Sequence, residues 1–360
     1  TKPRIITETP VPSPVIEPIP AKGLRLLVRP KVEGLTLHDP TWSHDGKLLA
    51  FSFSKVYPDV KTTGGGIGTV SADGSDLKII YEEKPESPFE NRSFTSPGFS
   101  YSDKYLAFLK QTWLVSGGGE ASDVMVLILD TGECYSVNPY NVLRLRQPLP
   151  AIYAPPSWMK DRDHVFFGAK QAEGYPVDSR LTAIWRAKAT GSYDDAIYRN
   201  ENLDLSSAMP TPSPDGTTLA FVMVPFKKSM PVKLALLDLT SRGAEPVTLM
   251  EASLPRDILF SRDGKRLAYL SKDELYIIDI NNLNYSKKKF SPGPVALTPD
   301  FLVLAHIKDQ NLILEEPERK GRRTIPLSAL NGKKIDKLAW SPDGKILAIS
   351  AGGEIWVYYF

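Results

Sequence analysis

Residues 340–349 read W-S-P-D-G-K-I-L-A-I, and three other stretches repeat that phrase: W-S-H-D-G-K-L-L-A-F at 42–51, P-S-P-D-G-T-T-L-A-F at 212–221 and F-S-R-D-G-K-R-L-A-Y at 260–269. Weaker copies are F-S-Y-S-D-K-Y-L-A-F at 99–108, W-M-K-D-R-D-H-V-F-F at 158–167 and L-T-P-D-F-L-V-L-A at 297–305. The anchors fall at 42, 99, 158, 212, 260, 297 and 340, so the intervals are 57, 59, 54, 48, 37 and 43 residues. Self-similarity near this period marks a solenoid, propeller or array.

Each copy sets a polar turn between apolar runs. Asp-Gly in that position is a strong hairpin signal, because Gly accepts positive φ and Asp bonds its local backbone. Two more strand-like runs follow most turns, such as 274–280 and 285–290 after Asp263, and 124–130 and 133–137 after Ser102. Four short antiparallel strands per unit make the blade of a β-propeller. The seventh unit stops after its third strand at 354–360, while an orphan strand, L-R-L-L-V-R, stands at 24–29 before the first unit. Pairing the two closes the ring and removes its open edges. The expected fold is all-β: a seven-bladed propeller of four-stranded antiparallel blades, closed by 24–29 against 354–360. Six blades is the rival count, since the 297–305 copy is degenerate.

The phrase W-S-P-D-G-K-x-L-A resembles the WD-like repeat of TolB-type propellers, which also occurs in the propeller of prolyl-oligopeptidase-like enzymes. The resemblance covers the chain from about residue 22 and implies a bacterial or archaeal, often extracytoplasmic, protein that binds partners. TolB-type proteins have six blades and an N-terminal α/β domain, and the peptidases carry a hydrolase domain; none of these is evident in the sequence.

Composition narrows the function classes. Forty-four Lys+Arg against 42 Asp+Glu give +2, so overall charge implies no nucleic-acid partner. The one basic cluster, Arg319, Lys320, Arg322 and Arg323 with Lys287 to Lys289 near it in sequence, reads as solvated turns and strand ends. A single cysteine, Cys134, excludes an intrachain disulfide and is placed on the outer strand of blade 2. No apolar run reaches the ~18 residues of a membrane span. Residues 1–21 form a Pro-rich extended tail ahead of a single propeller domain at 22–360; six prolines stand in the first 20 positions. Such a tail fits a spacer behind a processed or tethered N-terminus, so a periplasmic or cell-surface location is expected, with a cytoplasmic one as the alternative.

Catalytic signatures are missing. The sequence has no G-x-S-x-G, no G-x-x-x-x-G-K-[ST] and no H-E-x-x-H. The four histidines, His38, His44, His164 and His306, read as surface or strand-end residues. The repeated Asp45, Asp161, Asp215, Asp263, Asp300 and Asp343 read as turn formers, and the Gly64–66 and 117–119 triplets as flexible loop tips. No enzyme activity, cofactor or metal is expected.

Long loops are the remaining signal. Loops between second and third strands are placed at 55–66, 111–122, 170–180 and 225–231, and blade connections at 82–94, 138–156 and 200–210, all in blades 1 to 4. They emerge on one face and carry Tyr57, Phe89, Trp113, Leu114, Tyr140, Leu143, Arg144, Leu145, Arg146, Tyr153, Tyr175 and Phe226. Aromatic residues and arginine are the usual anchors of protein–protein hot spots. The reading is a non-catalytic interaction or scaffold subunit that binds protein subunits of a larger, envelope-associated assembly through this face. The alternatives are a ligand-binding or enzymatic propeller using its central channel, and the propeller of a peptidase-like protein without its hydrolase domain.

Overall fold

In the computed structural model, described for residues 22–30, 34–116, 120–137, 155–160, 163–170, 182–191, 193–199, 205–225 and 230–360, seven four-stranded antiparallel sheets make a ring. Blade 1 comprises Leu35–Trp42, Leu48–Tyr57, Thr62–Ser71 and Lys78–Glu83. Blade 7 comprises Ile335–Trp340, Ile346–Ala351 and Glu354–Tyr359, with Gly23–Val28 as its outer strand. Gly23 pairs with Tyr359 and Arg25 with Val357, so the N-terminal strand closes the ring as the sequence predicts. Among the described residues the one helical turn is the 3-10 segment Ser328–Leu330.

The repeated phrase builds the first hairpin of every blade by one scheme. The residue after the anchor donates its N–H to the carbonyl five residues on, from Ser43 to Leu48 (2.9 Å) through Met159 to His164 (2.8 Å) to Ser341 to Ile346 (2.8 Å). Where both the serine or threonine and the aspartate are present, the hydroxyl donates to the carboxylate, as in Ser341 to Asp343 (2.7 Å) and Thr298 to Asp300 (2.7 Å); in blade 2 Ser102 replaces the aspartate and bonds the Ser100 hydroxyl (3.0 Å). The same aspartate accepts the N–H two residues on, from Lys345 (3.1 Å) and Leu302 (3.0 Å). These donors hold the Asp215 and Asp263 carboxyls below the usual carboxylate range. Asp161 lies outside the described residues.

There is no single core. Seven separate clusters of buried apolar residues lie one at each blade junction. The phrase L-A-x supplies them through the period-2 alternation of a strand. Leu347 and Ile349 face blade 6, while Ala348 between them faces blade 1. Leu106 and Phe108 likewise face blade 1, and Ala107 faces blade 3. Six blades thus offer their large side chains backward and an alanine forward; in blade 3 Phe166 takes the alanine's place and packs forward with Leu219 and Phe221. The anchor tryptophans stitch the innermost strands: Trp42 Nε1 donates to the Ala339 carbonyl (3.1 Å), and Trp158 Nε1 to that of Gly98 (2.8 Å).

Two expectations are corrected. Residues 64–66 are not a loop tip but lie buried inside Thr62–Ser71. A Cβ on Gly65 would sit 2.0 Å from the Phe53 carbonyl oxygen, and one on Gly66 1.8 Å from that of Tyr81. Glycine is there for close approach between strands. His306 is no strand-end surface residue: it stands mid-strand in Leu304–Lys308 at 2 % exposure, and His164 is buried too.

Candidate functional site

Among the described residues, blades 1 and 2 have the longest second strands. Their second strands, Leu48–Tyr57 and Tyr105–Leu114, have 10 residues each, against 5 in Arg266–Leu270 and Leu304–Lys308. At ~3.4 Å per residue the extra length lifts the hairpins roughly 15 Å above the ring. The 55–66 segment is therefore mostly paired strand, Lys55 with Gly64 and Tyr57 with Thr62.

Local chain chemistry lets the innermost strands follow. Asp39, Ser96 and Met209, each before a proline, take left-handed φ of 47°, 54° and 54°. Pairing shifts at these points, between His38 and Thr41, Thr95 and Gly98, and Ala208 and Thr211. The bulge re-aims the upper strand. The proline sits where its missing N–H breaks no ladder, because an innermost strand has a neighbour on one side only.

An apolar tip crowns blade 2. Phe89 is 67 % exposed, Val115 57 % and Leu114 43 %, with Trp113 beside them. The Val115 N–H donates to the Phe89 carbonyl (2.8 Å), while Leu114 pairs with Glu90 and Trp113 with Asn91, so four side chains share one hairpin end. Val56 is exposed at the neighbouring tip of blade 1. Asn91 Oδ1 accepts the Thr63 N–H (2.8 Å) and joins the two hairpins.

Beneath the tip lies a fixed charge network. Arg92, 7 % exposed, donates Nη1 to Glu83 Oε1 (2.6 Å) and to the Lys84 carbonyl (3.2 Å), and its Nε pairs with Glu90. Lys110 Nζ reaches the same Glu83 oxygen (2.7 Å). Tyr57 OH donates to Glu82 (2.6 Å), which also receives Lys55 (3.0 Å); burial and then that carboxylate push the phenol's pKa well up. The nearby Cys134 thiol, on the outer strand of blade 2 as expected, is pushed up to about 12, chiefly by burial.

The sequence-predicted site residues divide three ways. Phe89, Trp113 and Leu114 all lie exposed at one end of blade 2. Tyr57 turns inward to hold its own hairpin. Tyr140, Leu143, Arg144, Leu145, Arg146, Tyr153, Tyr175 and Phe226 lie outside the described residues. Sequence reasoning missed Val56 and Val115, both exposed.

Two other places hold polar groups. Asp257, on the innermost strand of blade 5, is half-buried, and burial raises its carboxyl pKa against the opposing pull of Lys337 on the innermost strand of blade 7. On the turn face, His44, Asp45, Arg262 and Asp343 line a cleft of ≈ 220 Å³. Among the described residues no three His, Cys, Asp or Glu side chains gather in a metal-binding group, and no helix is long and apolar enough to cross a membrane.

No protein-family model matches the chain, and no curated protein matches it. Solved structures do. Oligogalacturonate lyase from Vibrio parahaemolyticus is similar at a TM-score of 0.63 and 11 % identity, over 93 % of each chain. A chain of the mitotic checkpoint complex reaches 0.60 at 12 % identity, over 99 % of this chain and 98 % of that one. TolB from Acinetobacter baumannii, at 13 % identity, covers 91 % of this chain and 64 % of that one with a TM-score of 0.46, too low to carry an argument. At such identities the likeness shows a β-propeller fold and no activity.

Proposed function

We propose that the protein is a non-catalytic interaction subunit of a larger, envelope-associated assembly, and that it docks a protein partner on the crown of blades 1 and 2. The observation that carries this reading is the exposed cluster of Phe89, Trp113, Leu114 and Val115 on hairpins that rise above the ring. Clustered aromatic and aliphatic anchors over a rigid base are the anatomy of a hot spot. The Arg92–Glu83–Lys110 network supplies that base. The test is a crosslinked native pull-down from the source organism, wild type against Phe89→Asp/Leu114→Asp. The reading expects a stoichiometric partner, crosslinked through Lys61 or Lys84, that the variant loses while its melting temperature holds. Equal capture by both proteins would sink it.

A ligand or substrate in the central channel is the second reading, supported by Asp257 and Lys337, both carried on innermost strands, of blades 5 and 7. It expects Lys337→Met to abolish binding of a charged small molecule found by ligand screen, with the pull-down unchanged.

A further inference from the structure

The tenth letter of the repeated phrase is aromatic or aliphatic in six of its seven copies: Phe51, Phe108, Phe167, Phe221, Tyr269 and Ile349. Each of those side chains is buried in the junction with the preceding blade. Blade 6 breaks the pattern, because L-A at 304–305 is followed by His306. The histidine keeps the buried place of its counterparts. It stands two residues past Leu304, so strand alternation turns it toward blade 5, where the Phe290 ring lies at 6.0 Å. It is 2 % exposed, and neither ring nitrogen has a hydrogen bond among the described residues. An imidazole here packs less apolar surface than a phenylalanine and leaves two polar atoms unmet, so stability does not account for it.

Charged groups close over the ring from three strands. Glu315, on the third strand of blade 6, stands 3.6 Å from His306 Nε2. The same carboxylate receives Arg322 from the outer strand of blade 6 (3.7 Å) and Lys288 from the outer strand of blade 5 (3.0 Å). Lys288 Nζ also donates to the Glu316 carbonyl (2.9 Å), so this one side chain ties the outer strand of blade 5 to blade 6. The other side chains gathered in the junction, among them Leu270, Leu275, Ile277 and Val295, carry no charge. One carboxylate thus already serves two cations. A proton on His306 would add a third. Burial lowers the imidazole's pKa, and Arg322 and Lys288 add to that against the opposing pull of Glu315.

We propose that the junction of blades 5 and 6 is an acid-sensitive seam, in which protonation of His306 releases the outer strand of blade 5 from blade 6 while the other junctions stay closed. The closed seam holds the imidazole neutral; the open seam lets water take up its charge. Opening is therefore linked to the uptake of one proton. The seam is fully stable above the free-imidazole value of about 6.5 and weakens as pH falls below it. The counterparts of His306 in the other copies are phenylalanine, tyrosine or isoleucine, none of which takes up a proton in this range. The seam lies outside the crown, so it opens or stays shut whatever docks there.

The test is amide hydrogen exchange of the whole chain between about pH 7.5 and 5.5, a range in which ordinary carboxylates stay ionised. After correction for the intrinsic pH dependence of exchange, protection over 285–290 is expected to fall by up to roughly tenfold per pH unit below about 6.5. Residues 62–71 in blade 1 should keep their protection. His306→Phe, which installs the residue of four other copies, should abolish the fall, and His306→Gln serves where that ring is too large for the site. Lys288→Met should lower protection over 285–290 at neutral pH too. It should also raise the midpoint of His306 in a histidine NMR titration, because a cation has left its side. Four results would overturn the proposal: a folded-state midpoint at or above about 6.5, a midpoint that Lys288→Met leaves unmoved, a loss of protection spread equally over all blades, or a wild-type acid response in both His306 variants.

Discussion

At the scale of the residue, one position decides each hairpin. Gly46, Gly216, Gly264 and Gly344 all have φ between 70° and 73°, and the degenerate copies place Asp103 (54°) and Phe301 (61°) at the same turn position. Blade 6 forms despite its non-glycine turn because Phe301 is wholly buried in the junction of blades 5 and 6, under the Arg266 guanidinium at 5.6 Å. Burial of that ring, about 3 kcal/mol or more by comparison with Phe→Ala losses, outweighs the ~1–2 kcal/mol of a left-handed L-residue. Gly344→Ala has no such offset, since its Cβ would meet only Thr298 Cγ2 at ordinary contact (3.6 Å). It should cost ~1–2 kcal/mol in denaturant melts. His306 gives a pH prediction. Neither ring nitrogen has a hydrogen bond among the described residues, Glu315 stands 3.6 Å away, and burial lowers its pKa, outweighing the carboxylate's pull. Below the unfolded-state value of about 6.5 the unfolded chain takes a proton that the folded one refuses, so stability falls as pH drops through that window. Glu315 and Glu354, which burial would raise but lysine partners hold low, add a second loss below about 4.5 as they protonate. A melting series of His306→Gln should keep the second loss and lack the first; a wild-type slope in both windows would refute the assignment.

At the scale of the element, the first hairpins were legible and the tall ones were not. A phrase with Asp-Gly at a fixed offset announces its own turn, and the closing strand shows itself as an apolar run without a partner. The crown hid because Thr62–Ser71 is rich in glycine, which sequence propensity assigns to loops, whereas the fold uses it for strand-to-strand contact. Gly66→Ala tests that account. Its Cβ has no room against the Tyr81 carbonyl, so the hairpins of blade 1 must separate. The loss should reach or exceed the ~1–3 kcal/mol of ordinary overpacking, with faster amide exchange over 62–71. An Ala variant of wild-type stability would return the segment to a loop. For the candidate site the sequence yielded Phe89, Trp113 and Leu114 through their residue types. It missed the inward turn of Tyr57, because Glu82, 25 positions away, meets its hydroxyl only across the folded sheet.

At the scale of the whole molecule, closure and asymmetry are the two facts that matter. Leu27 and Val28 of the N-terminal strand lie in the junction of blades 7 and 1, and the next residue, Arg29, donates to Glu354 of the neighbouring strand (2.7 Å). Leu27→Asp should open that strand, cost more than ~3 kcal/mol and expose the edge of Glu354–Tyr359 to other chains. Size-exclusion chromatography should then show concentration-dependent association; a stable monomer would mean the ring closes without it. The ring is a seven-bladed frame, but its blades are unequal, with the long hairpins of the crown on blades 1 and 2. The partner reading rests on the crown. Its most direct test places a photocrosslinking side chain at position 114 in the crown and, separately, at position 254, an exposed leucine at the blade 4–5 connection on the same face. The account predicts one partner adduct from position 114 and none from 254; adducts from both positions, or from neither, would contradict it.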